Sequence, residues 1–281
     1  TRTPIWAKRT HRTVTVMYFP ALKKRLISSA VLVSITCVTI YLLPKWIFFS
    51  VVQILGLAAL YEFFKMAQKK GVGVNIPLGL FFGALLPFTI YFSSESMILA
   101  AACLTILIFQ FHPRLREHAL TSTAVTVFGL IYVTWFFSHL TKMQYLENGP
   151  NWVFYTILLV KGGDAGAYFV GKRFGKHKLI EHISPNKSWE GAFGGAVVTF
   201  LLSLVSKLYL VHVPFLHLII LGLGVGVVAQ LGDLSESLIK RDCGVKDSGE
   251  LPGLGGLLDV LDSLLLSVPF VYYYLITTQI L

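Results

Sequence analysis

The sequence predicts an all-α, polytopic membrane protein with about nine transmembrane helices and a cytoplasmic N-terminus. Three observations carry this prediction. The 281 residues are 55% hydrophobic and only 14% charged, whereas a soluble domain averages about 25% charged. Mean hydropathy is +0.70. The apolar residues also gather into runs of the length a bilayer demands, roughly 20 residues per helix. A chain of this size forms one membrane domain, with no room for a separate soluble domain of ordinary size. It opens on Thr1, and a native start is expected upstream.

The segments fall, in order, at 26–43, 46–64, 76–92, 97–111, 121–140, 152–170, 192–210, 214–231 and 255–280. The first follows Lys23, Lys24 and Arg25 and has the look of a signal peptide, but eight further spans make an uncleaved anchor the expectation. The second ends near Glu62, read as an interfacial acid paired with Lys65 at i,i+3. Trp46, Trp135 and Phe136 read as interface or packing residues. The sixth carries Lys161 and Asp164 on one face, among glycines that permit close packing or a broken helix. Before the seventh, Ser184-Pro185-Asn186 reads as a turn and Ser188 as a helix cap with Glu190 in the first turn. In the eighth, the glycines of Gly222–Gly226 read as helix packing, because a dinucleotide fingerprint would need a strand before them.

Charge fixes the expected orientation. Loops on the N-terminal side of this alternation hold 20 of the 24 Lys and Arg residues, and the opposite loops hold three, Lys45, Lys142 and Lys207. The positive-inside rule places the N-terminus in the cytoplasm and the C-terminus outside. The net charge of +10 then reflects cytoplasmic loops and anionic lipid, and no nucleic-acid partner is expected. Cys37, Cys103 and Cys243 lack paired spacing, so neither a disulfide nor a zinc site is expected. The long polar loops 171–191 and 232–254 face the same side and can build one site. We therefore divide the chain into an N-terminal transmembrane region, 1–150, with a basic leading segment, and a catalytic transmembrane region, 151–281.

Charges inside spans are costly and mark functional candidates. Asp233 sits where the eighth span leaves the membrane, followed by Ser237, Lys240 and Arg241. Lys246 and Asp247 lie in the loop, and Asp259 and Asp262 share one side of the last helix. Ser184, Lys187 and Ser188 can donate to phosphate near a helix N-terminus. Carboxylates without His or Cys beside them suit a hard cation such as Mg²⁺, which retains water and takes substrate phosphates. Interleaved Lys and Arg suit phosphate oxygens. The mixture points to phosphoryl or nucleotidyl transfer. A set of buried salt bridges, an ion pathway or an inactive scaffold remains as the alternative, although a transporter would show paired broken helices in both halves.

At these residues the sequence resembles the phosphatidate cytidylyltransferases. The family pattern is Ser-x-apolar-Lys-Arg, Lys-Asp, Pro-Gly-His-Gly-Gly and Asp-Arg-x-Asp. Here it reads Ser237, Lys240, Arg241, Lys246, Asp247, Pro252, Gly253, Leu254, Gly255, Gly256, Asp259, Val260 and Asp262, with Leu254 and Val260 in place of His and Arg. The upstream stretches 164–178 and 184–191 are similar too. The resemblance implies transfer of CMP from CTP to phosphatidate, giving CDP-diacylglycerol and pyrophosphate, in the cytoplasmic membrane of a bacterium; another lipid phosphate is the alternative substrate. It implies one or two Mg²⁺ ions on Asp233, Asp247 and Asp259, with Asp262 beside them. Lys240, Arg241 and Lys246 would bind phosphate, and Ser184, Lys187 and Glu190 would form the facing wall with Asp164 behind. A homodimer is compatible with this reading.

Overall fold

In lipid every backbone N–H and C=O must find its partner within the segment, so apolar runs bounded by turn residues become helices. The computed structural model describes residues 34–91, 95–111, 119–249 and 255–280. These fall into two compact units divided between Pro44 and Lys45. The first contributes a helical stretch over residues 34–41. Residues 26–33 of the expected first span therefore lie outside the described residues, as do Pro252, Gly253 and Leu254 of the motif.

The second unit contains α1 (Lys45–Lys69), α2 (Ile76–Leu85), α3 (Glu95–Phe109), α4 (Ala119–Gly129), α5 (Phe136–Tyr145), α6 (Gly149–Phe174), α7 (Trp189–Val205), α8 (Phe215–Asp242) and α9 (Leu257–Thr278). A π-helical turn, Leu130–Trp135, joins α4 and α5 into one rod. Among the described residues, six helices have the length and apolar composition to cross a membrane: α1, the α4–α5 rod, α6, α7 with its following turn, α8 and α9. The segments expected at 76–92 and 97–111 are shorter apolar helices. The chain is thus an all-α membrane protein, and the helix starts are set locally. Asn75 accepts from Leu78 N at 3.2 Å ahead of Pro77. Ser188 accepts from Gly191 N at 3.2 Å, the expected cap.

Two local expectations are corrected. Residues 184–186 are not a turn. They open β2 (Ser184–Ser188), antiparallel to β1 (Lys178–Ile180), and the turn lies at 181–183. Pro185 is tolerated because an edge strand does not need every N–H, and Lys178 Nζ donates to its carbonyl at 2.5 Å. Lys142 is not a loop residue. It lies on α5 with its side chain 9% exposed and pairs with Glu95 of α3. Trp135 Nε1 donates to the same carboxylate at 2.5 Å.

Small residues set the helix spacing around the site. A Cβ on Gly163 would run into Thr199 across α6 and α7, and one on Gly195 would lie 2.9 Å from the Ala167 side chain. The glycines of α6 thus serve packing, and the helix is continuous over 26 residues. Tyr155 and Ser203 hydroxyls lie 2.7 Å apart, and Ser203 donates to Leu218 O at 2.5 Å, tying α6, α7 and α8 together. A Cβ on Gly232 would sit 2.7 Å from Asp262 O, so α8 and α9 nearly touch where each presents an acid.

Candidate active site

The contact at Gly232 decides the position of the site. Asp233 follows it on α8, and Asp262 faces it on α9. Both line a cavity of about 640 Å³ that also receives Lys161, Asp164 and Lys172 from α6, Ser184 and Lys187 from the hairpin, and Asp259 from α9. The described parts of the two segments expected to cooperate, 171–191 and 232–249, thus meet at one end of the bundle, and 232–242 is the last part of α8 rather than loop. Arg241 reinforces the junction by donating to Ile183 O at 3.1 Å.

The acids divide by how fully they are engaged. Asp233 lies 2.6 Å from Lys187 through Oδ2. Asp262 Oδ1 accepts from Ser263 N at 2.5 Å and lies 3.0 Å from Ser263 Oγ. Ser263 Oγ is also 3.2 Å from Asp164 Oδ1, so one hydroxyl proton serves two carboxylates. Asp164 pairs with Lys161 at 3.2 Å, the expected ion pair, and Lys161 also donates to Val260 O at 2.8 Å. Among the described hydrogen bonds, Asp233 Oδ1 and Asp262 Oδ2 accept none. Asp259 is different. Oδ1 meets Lys240, and Oδ2 accepts from Ser248 N at 2.9 Å and Gly256 N at 2.6 Å.

The remaining candidates stand outside the cavity lining. Lys240 reaches it through Asp259, and its ammonium is also 2.6 Å from Glu236, which is 0% exposed. Ser237 is buried on α8. Arg241 serves main-chain carbonyls at Ile183 and Val245. Glu190 accepts from Lys176 N at 3.1 Å and His177 N at 3.3 Å, and lies 2.7 Å from His177 Nδ1, which fixes the chain entering the hairpin. Lys246 and Asp247 are exposed after α8, and a Cβ on Gly255 would lie 3.5 Å from that of Asp247.

Sequence reasoning passed over three groups. Ser263 closes the motif without belonging to it. Glu236, on α8 just before Ser237, is buried and was not among the candidates. Glu62 does not pair with Lys65; it accepts from Leu257 N and Leu258 N of α9, each at 2.9 Å. Lys65 instead lies over the Tyr61 ring. The i,i+3 rule sees only the local neighbour, and no local rule could place Glu62 against a helix almost 200 residues away.

The donor set suits a hard cation. Among the described residues no three His, Cys, Asp or Glu side chains gather to enclose a metal unaided. Mg²⁺ does not require that, because one or two carboxylates plus water and substrate phosphates complete its shell. The free oxygens of Asp233 and Asp262, on adjacent walls of the cavity, meet that requirement. Lys161, Lys172 and Lys187 around them suit phosphate oxygens.

This chemistry agrees with the comparison with known sequences. Residues 23–278 match the cytidylyltransferase family model. The chain belongs to the cytidylyltransferase family. It is similar to a phosphatidate cytidylyltransferase of Bacillus subtilis, 35% identical over 261 residues, covering 90% of this chain and 97% of that protein. A Synechocystis protein of the same name is 29% identical over 287 residues, covering 90% and 96%. One from Mycobacterium tuberculosis is 42% identical over 148 residues, covering 52% and 45%. Family membership makes this chain a nucleotidyltransferase.

Proposed function

We propose that the chain is a phosphatidate cytidylyltransferase: it joins CTP and phosphatidate to give CDP-diacylglycerol and pyrophosphate. The observation that supports this most is the cavity in which unengaged oxygens of Asp233 and Asp262 stand among Lys161, Lys172 and Lys187. A phosphate oxygen of phosphatidate attacks the α-phosphorus of CTP. The bond from that phosphorus to the oxygen bridging to the β-phosphorus breaks, and pyrophosphate leaves with the electron pair. The nucleophile is already anionic, so no general base is required.

What the protein supplies is positioning and charge. Lys187 and Lys172 hold phosphate oxygens at the hairpin side, and Lys161 does so deeper in the cavity. Ser184 donates from the start of β2. Asp233 and Asp262 would hold Mg²⁺, with Asp164 and Ser263 orienting Asp262. When bound, Mg²⁺ offsets the repulsion between two polyanionic substrates. Asp259 and Lys240 support the wall, and Asp247 and Lys246 stand at its rim.

The charge pattern supports a cytoplasmic N-terminus and a cytoplasmic mouth for the cavity, with about nine spans in the cell membrane. CTP then arrives from solution, and the acyl chains stay in the bilayer. The test is incorporation of labelled CTP into lipid by purified protein, offered phosphatidate or other lipid phosphates. CDP-diacylglycerol formed from phosphatidate supports the reading; product from another lipid phosphate alone would replace the substrate.

A further inference from the structure

Helix α9 carries Asp259 and Asp262 and caps itself only in part, Asp259 Oδ2 accepting from Gly256 N at 2.6 Å. Its first-turn N–H groups need acceptors, and the residue at the cap position is Gly256, which has no side chain to offer. The acceptors come from elsewhere. Glu62 of α1 takes Leu257 N with Oε1 and Leu258 N with Oε2, both at 2.9 Å. Ser248 Oγ takes Asp259 N at 3.3 Å. The same hydroxyl is 2.9 Å from Glu62 Oε2 and 3.0 Å from Asp259 Oδ2, so it links the two carboxylates. A Cβ on Gly249 or Gly256 would press into the Glu62 carboxylate, which leaves the loop and the helix start closed around it.

We infer that Glu62 is a positioning residue for the reaction, holding the N-terminus of α9 so that Asp259 and Asp262 stay aligned with Asp233. This rests on the phosphatidate cytidylyltransferase reading above. Glu62 does not line the cavity and acts only through the groups it holds. A negative charge at a helix N-terminus also opposes the dipole there favourably, and hydrogen bonds to a charged acceptor are stronger than neutral ones. Its place on α1 ties the N-terminal region directly to the catalytic one.

The experiment compares the wild-type protein with Glu62→Ala, Glu62→Gln, Ser248→Ala and Lys65→Ala, all purified in detergent. Two quantities are read: amide hydrogen exchange across 246–278, and kcat and KM for CTP per folded molecule. Glu62→Ala should expose the amides of residues 257–259 to exchange while those near 275 stay protected. It should lower kcat/KM for CTP on the order of a hundredfold, the scale expected of a small misplacement, with KM raised. Glu62→Gln keeps one acceptor oxygen and should lose less. Ser248→Ala leaves the Leu257 and Leu258 acceptors in place and should lose about tenfold, about 1.4 kcal/mol. Lys65→Ala should match wild type. Unchanged exchange at 257–259 in Glu62→Ala overturns the inference. So does a loss of folded protein with normal KM and kcat in what remains. A wild-type protein that makes no CDP-lipid refutes the function reading, and the exchange data still decide whether Glu62 holds α9.

Discussion

Replacing Lys240 with Met separates two roles that the motif alone leaves merged. The Lys240 side chain is 11% exposed and lies between Asp259, 12% exposed, and Glu236, 0% exposed. Met matches the length of the stem but leaves two buried acids facing each other. Removing one partner from a buried ion pair costs about 3–5 kcal/mol, because the other charge is left uncompensated. In a chain of this size that lowers the melting temperature by on the order of 10 °C. Glu236→Gln added to Lys240→Met removes one of the stranded charges and should recover much of the loss. The assay is thermal unfolding of the detergent-purified protein, followed alongside CTP turnover below the transition. A melting temperature within about 2 °C of wild type, with turnover abolished, would refute this account and return Lys240 to direct phosphate contact.

Other variants test the site from different sides. Asp262→Asn removes a cavity-lining charge and should lower CDP-lipid formation by at least about a hundredfold, read by labelled-CTP incorporation. Arg241→Ala should leave KM for CTP near wild type and speed protease cleavage in 175–188, since Arg241 donates to Ile183 and Val245 carbonyls rather than lining the cavity. Gly163→Val forces a side chain into Thr199 and should destabilise by about 1–3 kcal/mol. Gly73→Ala, with nothing within 4 Å of the new carbon, should not.

The parts of this molecule that local rules describe were legible in the sequence. Long apolar runs gave the six membrane-length helices, Ser188 was readable as a cap, and the Lys161–Asp164 pair followed from spacing. Of the candidate acids, those at 164, 233, 259 and 262 line one cavity, and Asp247 does not. What stayed hidden depends on partners far along the chain. Ser-Pro-Asn favours a turn locally, and only pairing with 178–180 makes it a strand. Lys142 looked like a loop cation because Glu95, its counter-charge, lies on another helix. Glu62 was misread for the same reason. The roles expected of Lys240 and Arg241 came from residue type and the motif, neither of which reveals that Asp259, Glu236 and the Ile183 and Val245 carbonyls are what they contact.

The central claim is that this cavity transfers a cytidylyl group onto phosphatidate. The most direct measurement mixes purified protein with labelled CTP and phosphatidate, with and without Mg²⁺, and separates the lipid products. The account predicts labelled CDP-diacylglycerol and one equivalent of pyrophosphate, dependent on Mg²⁺ and on phosphatidate, and lost in Asp233→Asn. Turnover without phosphatidate, or no CDP-lipid from folded protein under these conditions, would contradict it.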